Sequence, residues 1–338
     1  MKLVTICIAA YNAEKYIDKA MESALNQTYQ NIEILVCDDC STDKTLEILK
    51  SYKDKRINLL VNNKNLGYLQ TFNKLLSLSQ GEFLCFIDAD DFIDKRKVSL
   101  QLNFLINNPE ISLVGTGVCR IDESGNVVSK ENFPETDENI KNYLELNSNV
   151  CFIGSSVMIR KKVKNTIGGY REYFMGCPAE DYDWLRRISD KFKCANLKEN
   201  LYFYRFAEGS LSRIVHYDVK SRHAAEIAKF LSDQRKIHEV DSLTNKSLVG
   251  LKEFVESINK EYKKSPGLLY RRTAFENVLN NNFLIAMRDL KISLSKERLN
   301  LSFIKTCIMI FIVLIFPNSF LLKTKSLFGL KNISDKLI

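Results

Sequence analysis

Along the first 95 residues, the pattern of hydrophobic and polar positions alternates between the two periods of regular secondary structure. Short continuous apolar runs rich in β-branched and aromatic residues are typical of strands buried on both faces. The stretches between them carry apolar residues at helical spacing. The predicted strands are 3–9, 32–37, 57–61 and 83–87, and the predicted helices are 14–25, 44–52 and a third that ends at 78. Four β-α repeats predict a parallel sheet with right-handed crossovers.

Three acidic side chains, Asp88, Asp90 and Asp91, follow the fourth apolar run within four residues. Open α/β sheets bind ligands outside the carboxyl ends of their strands. Carboxylates this close repel one another, and a divalent cation or a cationic partner relieves the repulsion. The triplet therefore predicts either a cation site or a solvated acidic turn before the next helix, and the residues alone leave both open.

The first β-α turn contains no glycine, because residues 9–13 read Ala-Ala-Tyr-Asn-Ala. This excludes a dinucleotide-binding Gly-rich loop and a phosphate-binding P-loop, and with them dehydrogenases and P-loop ATPases. A second acidic pair, Asp38 and Asp39, follows the second predicted strand. Neighbouring strands would bring this pair to the same sheet edge as Asp88. There one acid could accept a hydrogen bond from a base or ribose while another held a metal on a diphosphate.

Short motifs follow one another in a fixed order from residue 3 to about residue 215. They are 8–12 (IAAYN), 38–43 (DDCSTD), 65–67 (NLG) with Asn73, 81–82 (GE) before 88–91 (DADD), 168–172 (GGYRE), 179–186 (AEDYDWLR), and 204–205 (YR) with Ser210 and Ser212. In these residues the chain resembles the family 2 inverting glycosyltransferases of the GT-A fold. The resemblance implies a Rossmann-like, mostly parallel sheet flanked by helices. It also implies a nucleotide-sugar donor, a divalent metal, and transfer to an acceptor hydroxyl with inversion.

The resemblance assigns the donor nucleotide to the ends of the first, second and fourth strands. It implies that Tyr11 and Asp39 contact the nucleobase, with the Tyr11 ring stacked on it. Ala9 stands where many family members contact the donor, and its methyl group leaves only backbone contacts. The resemblance places Asp88 near the ribose.

The same resemblance assigns a metal to the acidic triplet. Asp90 would be a ligand, and Asp91 a second one. Carboxylate and phosphate oxygens suit a hard cation, Mg²⁺ or Mn²⁺. The cation would neutralise the charge that develops on the departing diphosphate.

The pair Glu180 and Asp181 matches the acids that supply the general base in the family. Asp181 is the candidate that takes the acceptor proton while the acceptor oxygen attacks the anomeric carbon. The alternative is that both acids only favour the amino end of a helix. Trp184 is predicted to pack that helix, with sugar stacking as the less favoured reading.

Two positions depart from the family pattern, and a third, Arg205, has two possible roles. Arg205 ends an apolar strand, and it either binds phosphate or forms a surface ion pair. Ala207 stands where family members often carry a histidine, which weakens the expectation of metal dependence. Cys40 replaces a usual glycine.

The last 138 residues carry the net positive charge of the chain. Net charge is −2 over residues 1–200 and +10 over residues 201–338. Such a basic region favours an anionic partner, and we favour an anionic membrane over nucleic acid. The sequence predicts helices over 219–234, 243–262 and 268–293, followed by an apolar segment at 303–322 that is too short and too interrupted to span a bilayer. It favours an interfacial helix flanked by Lys305, Lys323 and Lys325, with a buried terminal helix as the alternative.

These expectations combine into a three-part chain. Residues 1–215 form the catalytic domain, with the nucleotide-sugar half at 1–95 and the acceptor half at 96–215. Residues 216–300 form a helical region, and residues 301–338 a membrane-associating tail. Nine cysteines, an odd number placed largely in apolar runs, favour reduced thiols and a cytoplasmic protein. Together with the basic apolar tail, this predicts a protein that is peripheral on the inner leaflet of the cell membrane.

The predicted activity is transfer of a sugar, hexosyl or N-acetylhexosaminyl, from a UDP-type donor to a glycan acceptor, such as a lipid-linked surface polysaccharide. Two alternatives stay open. A catalytically silent scaffold of the same fold is motivated by Ala9, Cys40 and Ala207. A haloacid-dehalogenase-like phosphatase also ends a strand in Asp-x-Asp, but it expects a small or hydroxyl residue where this chain has Asp91. The oligomeric state does not follow from the sequence.

Overall fold

The computed structural model describes residues 1–177, 179–205, 215–297 and 299–315. The described residues form two compact units. The first contains residues 1–205 and 228–241, and the second contains residues 215–227 and 242–315. The predicted position Ala207 and most of the predicted tail, residues 316–338, lie outside the described residues.

The first unit is built on a mixed sheet whose described strands pair in the order β3-β2-β1-β4-β8-β6-β9-β5, with β7 on β6. The strands are β1 Val4–Ala10, β2 Ile32–Asp38, β3 Ile57–Val61, β4 Phe83–Asp88, β5 Phe92–Ile93, β6 Ile111–Ile121, β7 Val127–Glu131, β8 Met158–Arg160 and β9 Lys193–Arg205. The first four strands pair in parallel, as the β-α repeats predict. Beyond β4 the sheet differs from the mostly parallel one that was expected, because β8, β7 and β5 pair antiparallel to their neighbours.

Helices cover both faces of this sheet. They are α1 Ile17–Leu25, α2 Thr45–Ser51, α3 Tyr68–Leu78, α4 Lys97–Asn107, α5 Asp137–Leu146, α6 Lys161–Ile167 and α7 Glu180–Lys191. The chain continues with α8 Val219–Arg222, in the second unit, and α9 Ala224–His238, whose residues from 228 belong to the first unit. Successive side chains of a strand point to opposite faces of the sheet, so alternate residues pack against different helices. Ile6 and Ile8 pack with α1, α2 and α4, whereas Cys7 points to the layer of α3, α6 and α7. Burial on both faces explains why these strands are continuously apolar.

The second unit is helical in its described part. Its remaining helices are α10 Val249–Lys264, α11 Leu268–Leu279, α12 Phe283–Lys296 and α13 Leu301–Ile315. Phe275 of α11, Ala286 of α12 and Ile310 of α13 belong to one small apolar core. None of the described helices combines the length and the apolar content that crossing a bilayer requires.

Candidate active site

The ends of β1, β2 and β4 form one polar edge of the sheet. In the parallel register Ala9 pairs with Asp88 of β4, and Ala10 pairs with Asp38 of β2. The backbone N–H of Asp39 then donates to the Ala10 carbonyl at 2.8 Å. The predicted meeting of the two acidic motifs at one edge is therefore observed, with β1 between them.

The Asp39 carboxylate organises the loop that precedes α3. One oxygen accepts hydrogen bonds from the Asn62 amide at 2.7 Å and the Leu66 N–H at 2.9 Å, and the other accepts from the Gly67 N–H at 2.8 Å. Gly67 has φ of 82°, a conformation that glycine adopts without steric cost. Asp39 thus shapes this rim of the edge, in addition to the nucleobase contact predicted for it.

Asp38, by contrast, keeps one oxygen without a protein donor. Its side chain is buried, and one oxygen accepts from the Ser41 N–H at 3.2 Å. The other oxygen has no hydrogen-bond partner in the part of the chain that the structure describes. Tyr11, which follows β1 at the same edge, is 47% exposed, and Ala9 is partly exposed. A flat ring and an unsatisfied acceptor are therefore both present where the donor base is expected.

Asp88 is held from several sides at the tip of β4. The Tyr68 hydroxyl donates to its carboxylate at 3.0 Å, and the backbone N–H of Asp88 donates to the Tyr202 hydroxyl at 3.1 Å. The nearby Ser155 side chain lowers the pKa of Asp88. Burial, and then the negative charge of Asp90, raise the pKa of Asp88 to about 6. The side chain keeps partial exposure, so it remains reachable by a ligand.

Asp91 points into the protein. One carboxylate oxygen accepts from the Tyr202 hydroxyl at 2.7 Å and the other from the Arg205 N–H at 2.6 Å, and only 1% of the residue is exposed. Asp91 was expected as a second metal ligand, and instead both of its oxygens are engaged by protein donors. Asp90, like Asp88, keeps a partly exposed side chain.

The residues present fit a cation that is held jointly with a substrate. In the described part of the chain no three acidic, histidine or cysteine side chains are arranged to hold a metal by themselves. Asp90 and Asp88 supply carboxylate oxygens, and burial raises the pKa of both, which a cation would offset. Mg²⁺ is commonly bound by one or two carboxylates, with phosphates and water completing its shell.

Arg205 stabilises the acidic turn through hydrogen bonds to backbone carbonyls. Its guanidinium donates to the carbonyls of Asp90 at 2.7 Å and of Asp122 and Glu123 at 2.8 Å each, and it lies 4.3 Å from the centre of the Tyr16 ring. Because only 4% of the residue is exposed, Arg205 does not form the surface ion pair considered from the sequence. In this arrangement its side chain holds the turn that presents Asp90.

Glu180 and Asp181 open α7 on the other side of the same cleft. Burial, and then the negative charge of Asp88, raise the pKa of Asp181 to about 7. The pKa of Glu180 is also raised to about 7, first by burial and then by the charges of Asp181 and Asp88. The charge of Asp88 thus acts on both acids of α7, and the turn at residues 154–156 packs against both β4 and α7. A carboxylate with a pKa near 7 is suited to accept a proton at neutral pH.

Trp184 is a packing residue and does not reach the cleft. It is fully buried, its indole N–H donates to the Gly168 carbonyl at 2.9 Å, and its ring meets those of Phe72, Phe86 and Tyr170 edge-on. The packing role predicted from the sequence is confirmed, and sugar stacking is excluded by burial.

A buried network of ion pairs fixes α7 and its surroundings. Asp183 pairs with Arg187 at 2.8 Å inside the helix, and Arg171 pairs with Asp241 at 2.8 Å. Arg235 contacts the same Asp241 carboxylate. Asp241 and Asp183 are fully buried. Residues 228–241 therefore complete the unit that carries the site, although the sequence motifs end before them.

Tyr68, Tyr202 and Ser155 contact the acids, and they do not stand out in the sequence. Tyr68 and Tyr202 lie within an ordinary helix and an ordinary strand, and Ser155 lies in a short 3₁₀ turn, Gly154–Ser156. Their common signal is an uncharged polar side chain inside an apolar stretch. That signal is shared by many residues with no role at a site.

Comparisons with known proteins agree with this geometry. The family model described as Glycosyl transferase family 2 matches residues 5–168. The putative glycosyltransferase EpsE of Bacillus subtilis (strain 168) is 33% identical over 206 residues, which are 60% of this chain and 72% of the relative. The Escherichia coli protein WfaP, named UDP-Glc:alpha-D-GlcNAc-diphosphoundecaprenol beta-1,3-glucosyltransferase, is 35% identical over 215 residues, 63% of this chain and 80% of the relative.

Among solved structures, S. aureus TarS 1–349 in complex with UDP-GlcNAc aligns with a TM-score of 0.57 and 22% identity, covering 69% of this chain and 67% of that one. The complex of TarS 1–349 with UDP aligns with a TM-score of 0.55, and this chain covers 66% of the solved chain, which is slightly less than two thirds of its length. This likeness concerns the fold. The mixed α/β sheet with flanking helices matches the GT-A fold.

Proposed function

The chain belongs to glycosyl transferase family 2, and from that premise we propose that it moves a sugar from a UDP-sugar to a hydroxyl of a glycan acceptor with inversion. The observation that carries the proposal is the meeting of two acidic groups in one cleft. Asp88 ends β4 and Asp90 lies in the turn that follows it, and Glu180 and Asp181 begin α7. One group serves the donor and the other serves the acceptor.

The donor half lies at the ends of β1, β2 and β4. Tyr11 stacks on the base, the backbone at Ala9 lines it, and Asp39 and Asp88 contact the nucleoside. A uridine nucleotide is supported by the UDP and UDP-GlcNAc complexes of TarS and by the UDP-Glc in the name of WfaP. Arg205 acts on the diphosphate indirectly, because it holds the turn that carries Asp90.

A divalent cation, Mg²⁺ or Mn²⁺, would be held by Asp90 with Asp88 nearby. When bound, it would neutralise charge on the departing diphosphate. Asp91 supports this arrangement from inside, through its hydrogen bonds with Tyr202 and Arg205.

Asp181 takes the proton of the acceptor hydroxyl as its oxygen forms a bond to the anomeric carbon and the bond to the diphosphate breaks. The proton ends on the Asp181 carboxylate, and the bonding electrons leave with the diphosphate. Attack from the face opposite the leaving group explains inversion without a covalent sugar-protein intermediate. The pKa of about 7 leaves a substantial fraction of this carboxylate ionised at neutral pH. Glu180, beside it, keeps the local potential negative.

The acceptor is proposed to be a lipid-linked glycan used in polysaccharide biosynthesis. The diphosphoundecaprenol acceptor in the name of WfaP supports this choice. Such an acceptor lies at a membrane, so the enzyme must work at that surface.

We place the protein on the cytoplasmic leaflet as a peripheral protein, through the exposed stripe of α13. Leu301, Ile304, Ile308, Phe311 and Ile315 are 43–68% exposed, while the opposite stripe packs in the second unit. The exposed charges of 281–315 in the described chain are all cationic, namely Arg288, Lys291, Lys296 and Lys305. An apolar stripe with cationic neighbours fits an anionic bilayer surface.

Vesicle sedimentation tests the membrane surface. The unchanged protein should sediment with vesicles containing phosphatidylglycerol and much less with phosphatidylcholine alone. Phe311→Ser should weaken sedimentation several-fold, whereas Val128→Ser, which changes an exposed valine of β7, should not. Equal sedimentation of both variants would contradict the assignment of the α13 stripe.

The catalytic proposal is tested by a donor screen followed by a product assay. UDP-, GDP- and dTDP-sugars are compared for protection against thermal unfolding with Mg²⁺, with Mn²⁺ and with EDTA. The protecting donor is then incubated with lipid-linked saccharides, and the anomeric configuration of the product is read by NMR. A catalytically silent scaffold that lacks the site would show neither protection nor product.

A further inference from the structure

The geometry points to the 3₁₀ turn Gly154–Ser156 as a positioning element that sets the separation between the donor acid Asp88 and the acceptor-side acid Asp181. This inference rests on the proposed transferase function. It assigns Gly154 and Ser155 a role in catalysis that acts through the two acids.

Gly154 provides the space that the Asp181 side chain occupies. A Cβ atom added at Gly154 would lie 3.0 Å from a carboxylate oxygen of Asp181 and 3.1 Å from its Cβ. Ordinary contacts of a Cβ with such atoms are longer, so a methyl group would push the carboxylate away. The Asp181 side chain therefore rests directly on the backbone of the turn.

Ser155 makes the corresponding contact with the donor side. The turn packs against β4, and the Ser155 hydroxyl lies near enough to Asp88 and Tyr202 to counteract the rise in the pKa of both groups. Because Tyr202 gives its own proton to Asp91, the single Ser155 proton is shared between the Asp88 carboxylate and the Tyr202 oxygen. Ser155 is 4% exposed, and burial makes this partner hard for water to replace.

Hydrogen bonds hold the turn in place, so it can fix the position of the side chains that pack against it. The Ser156 N–H donates to the Ile153 carbonyl at 2.8 Å, and the Ser156 hydroxyl donates to the same carbonyl at 2.8 Å. The carbonyl of Ser156 accepts from the buried Gln101 amide at 2.9 Å. One anchored turn thus packs against both β4 and α7, with Gly154 directly against the Asp181 side chain.

This arrangement predicts different kinetic effects for the two residues. Gly154→Ala displaces the group that takes the acceptor proton, so it should lower kcat about 10- to 100-fold and leave the KM for the donor within about twofold. Ser155→Ala removes a donor to Asp88, so it should raise the donor KM several-fold with a smaller change in kcat. A general loss of packing would not separate the two parameters in this way.

The matched control is Ser79→Ala, which removes a buried hydroxyl that donates to the Leu76 carbonyl at 2.7 Å, at the end of α3. It should keep kcat and donor KM within about twofold. If Ser79→Ala and Gly154→Ala lowered kcat equally, the effect of Gly154→Ala would be a general loss of packing and the inference would be overturned. Unchanged kcat in Gly154→Ala would overturn it as well.

A second measurement covers a Gly154→Ala protein that folds poorly. The predicted clash is with Asp181, so Gly154→Ala should lower Tm less in an Asp181→Gly background than in the natural one. Equal losses of Tm in both backgrounds would refute the contact. If the unchanged protein binds no nucleotide sugar at all, the proposed function fails, which this double substitution distinguishes from failure of the inference.

Discussion

Replacing Asp181 by asparagine should stop transfer and at the same time stabilise the free protein at alkaline pH. Burial and the charge of Asp88 raise the pKa of this carboxyl from 3.8 to about 7. Between these pH values the folded protein holds a proton that the unfolded chain has lost, so stability falls as pH rises from about 4 to about 7 and stays lower above it. Asparagine has no charge to desolvate, and Asp181→Asn removes this loss.

The size of the gain follows from the shift. About three pKa units at roughly 1.4 kcal/mol each set an upper bound of about 4 kcal/mol. Because the side chain keeps partial exposure, a gain of about 2–3 kcal/mol at pH 8 is expected. For a unit of this size that corresponds to a rise in Tm of about 5–10 °C.

The assay is thermal unfolding of both proteins, without nucleotide, at pH 8 and at pH 4.5. The advantage of Asp181→Asn should be large at pH 8 and mostly gone at pH 4.5. Asp54→Asn serves as the opposite control, because hydrogen bonds from Arg56 lower the pKa of Asp54 to about 2 and its loss should destabilise the protein at pH 8. An Asp181→Asn protein no more stable than the natural one at pH 8 would show that this carboxyl carries no electrostatic strain.

Three further predictions concern the network around the site. Asp241→Asn should destabilise the protein by about 2–4 kcal/mol in chemical denaturation, because Arg171 and Arg235 lose a buried counter-charge. The control Asp233→Asn removes a more exposed ion pair of α9 and should cost under about 0.5 kcal/mol. Comparable losses in the free energy of unfolding for the two variants would contradict a stabilising role of the buried ion pairs of Asp241. Tyr202→Phe should cost about 1.5–3 kcal/mol, since the Asp91 carboxylate loses a hydroxyl donor, and a neutral result would refute that hydrogen bond. The kcat/KM of transfer should fall about tenfold per pH unit below pH 7, as the base becomes protonated, and a flat profile down to pH 5 would exclude Asp181 as that base.

The nucleotide half of the fold was predictable because its strands are buried on both faces. Runs predicted at 3–9 and 32–37 are observed as Val4–Ala10 and Ile32–Asp38. Because these strands pair in parallel, Asp38 and Asp88 at their carboxyl ends must lie at one edge of the sheet. The acidic residues of that edge could therefore be predicted from the sequence. The family resemblance is confirmed, and it rests on the same strand ends.

The other half was not predictable in the same way, because its contacts join distant parts of the chain. Tyr202 reaches Asp91 across 111 residues, and Arg205 reaches the carbonyl of Asp90 across 115. No local pattern indicates that β9 returns beside β5. Without that pairing, Asp91 reads as a free carboxylate and Arg205 as a surface cation, whereas the fold buries both.

The most direct test of the account is calorimetric titration of the protein with UDP-sugar in the presence of Mn²⁺. A donor site at the end of β4 should give saturable binding by the natural protein, at least tenfold weaker binding by Asp90→Asn, and unchanged binding by Asp181→Asn, whose carboxyl faces the acceptor. Binding that is insensitive to Asp90→Asn, or no binding of any nucleotide sugar, would contradict the claim that the end of β4 holds the donor.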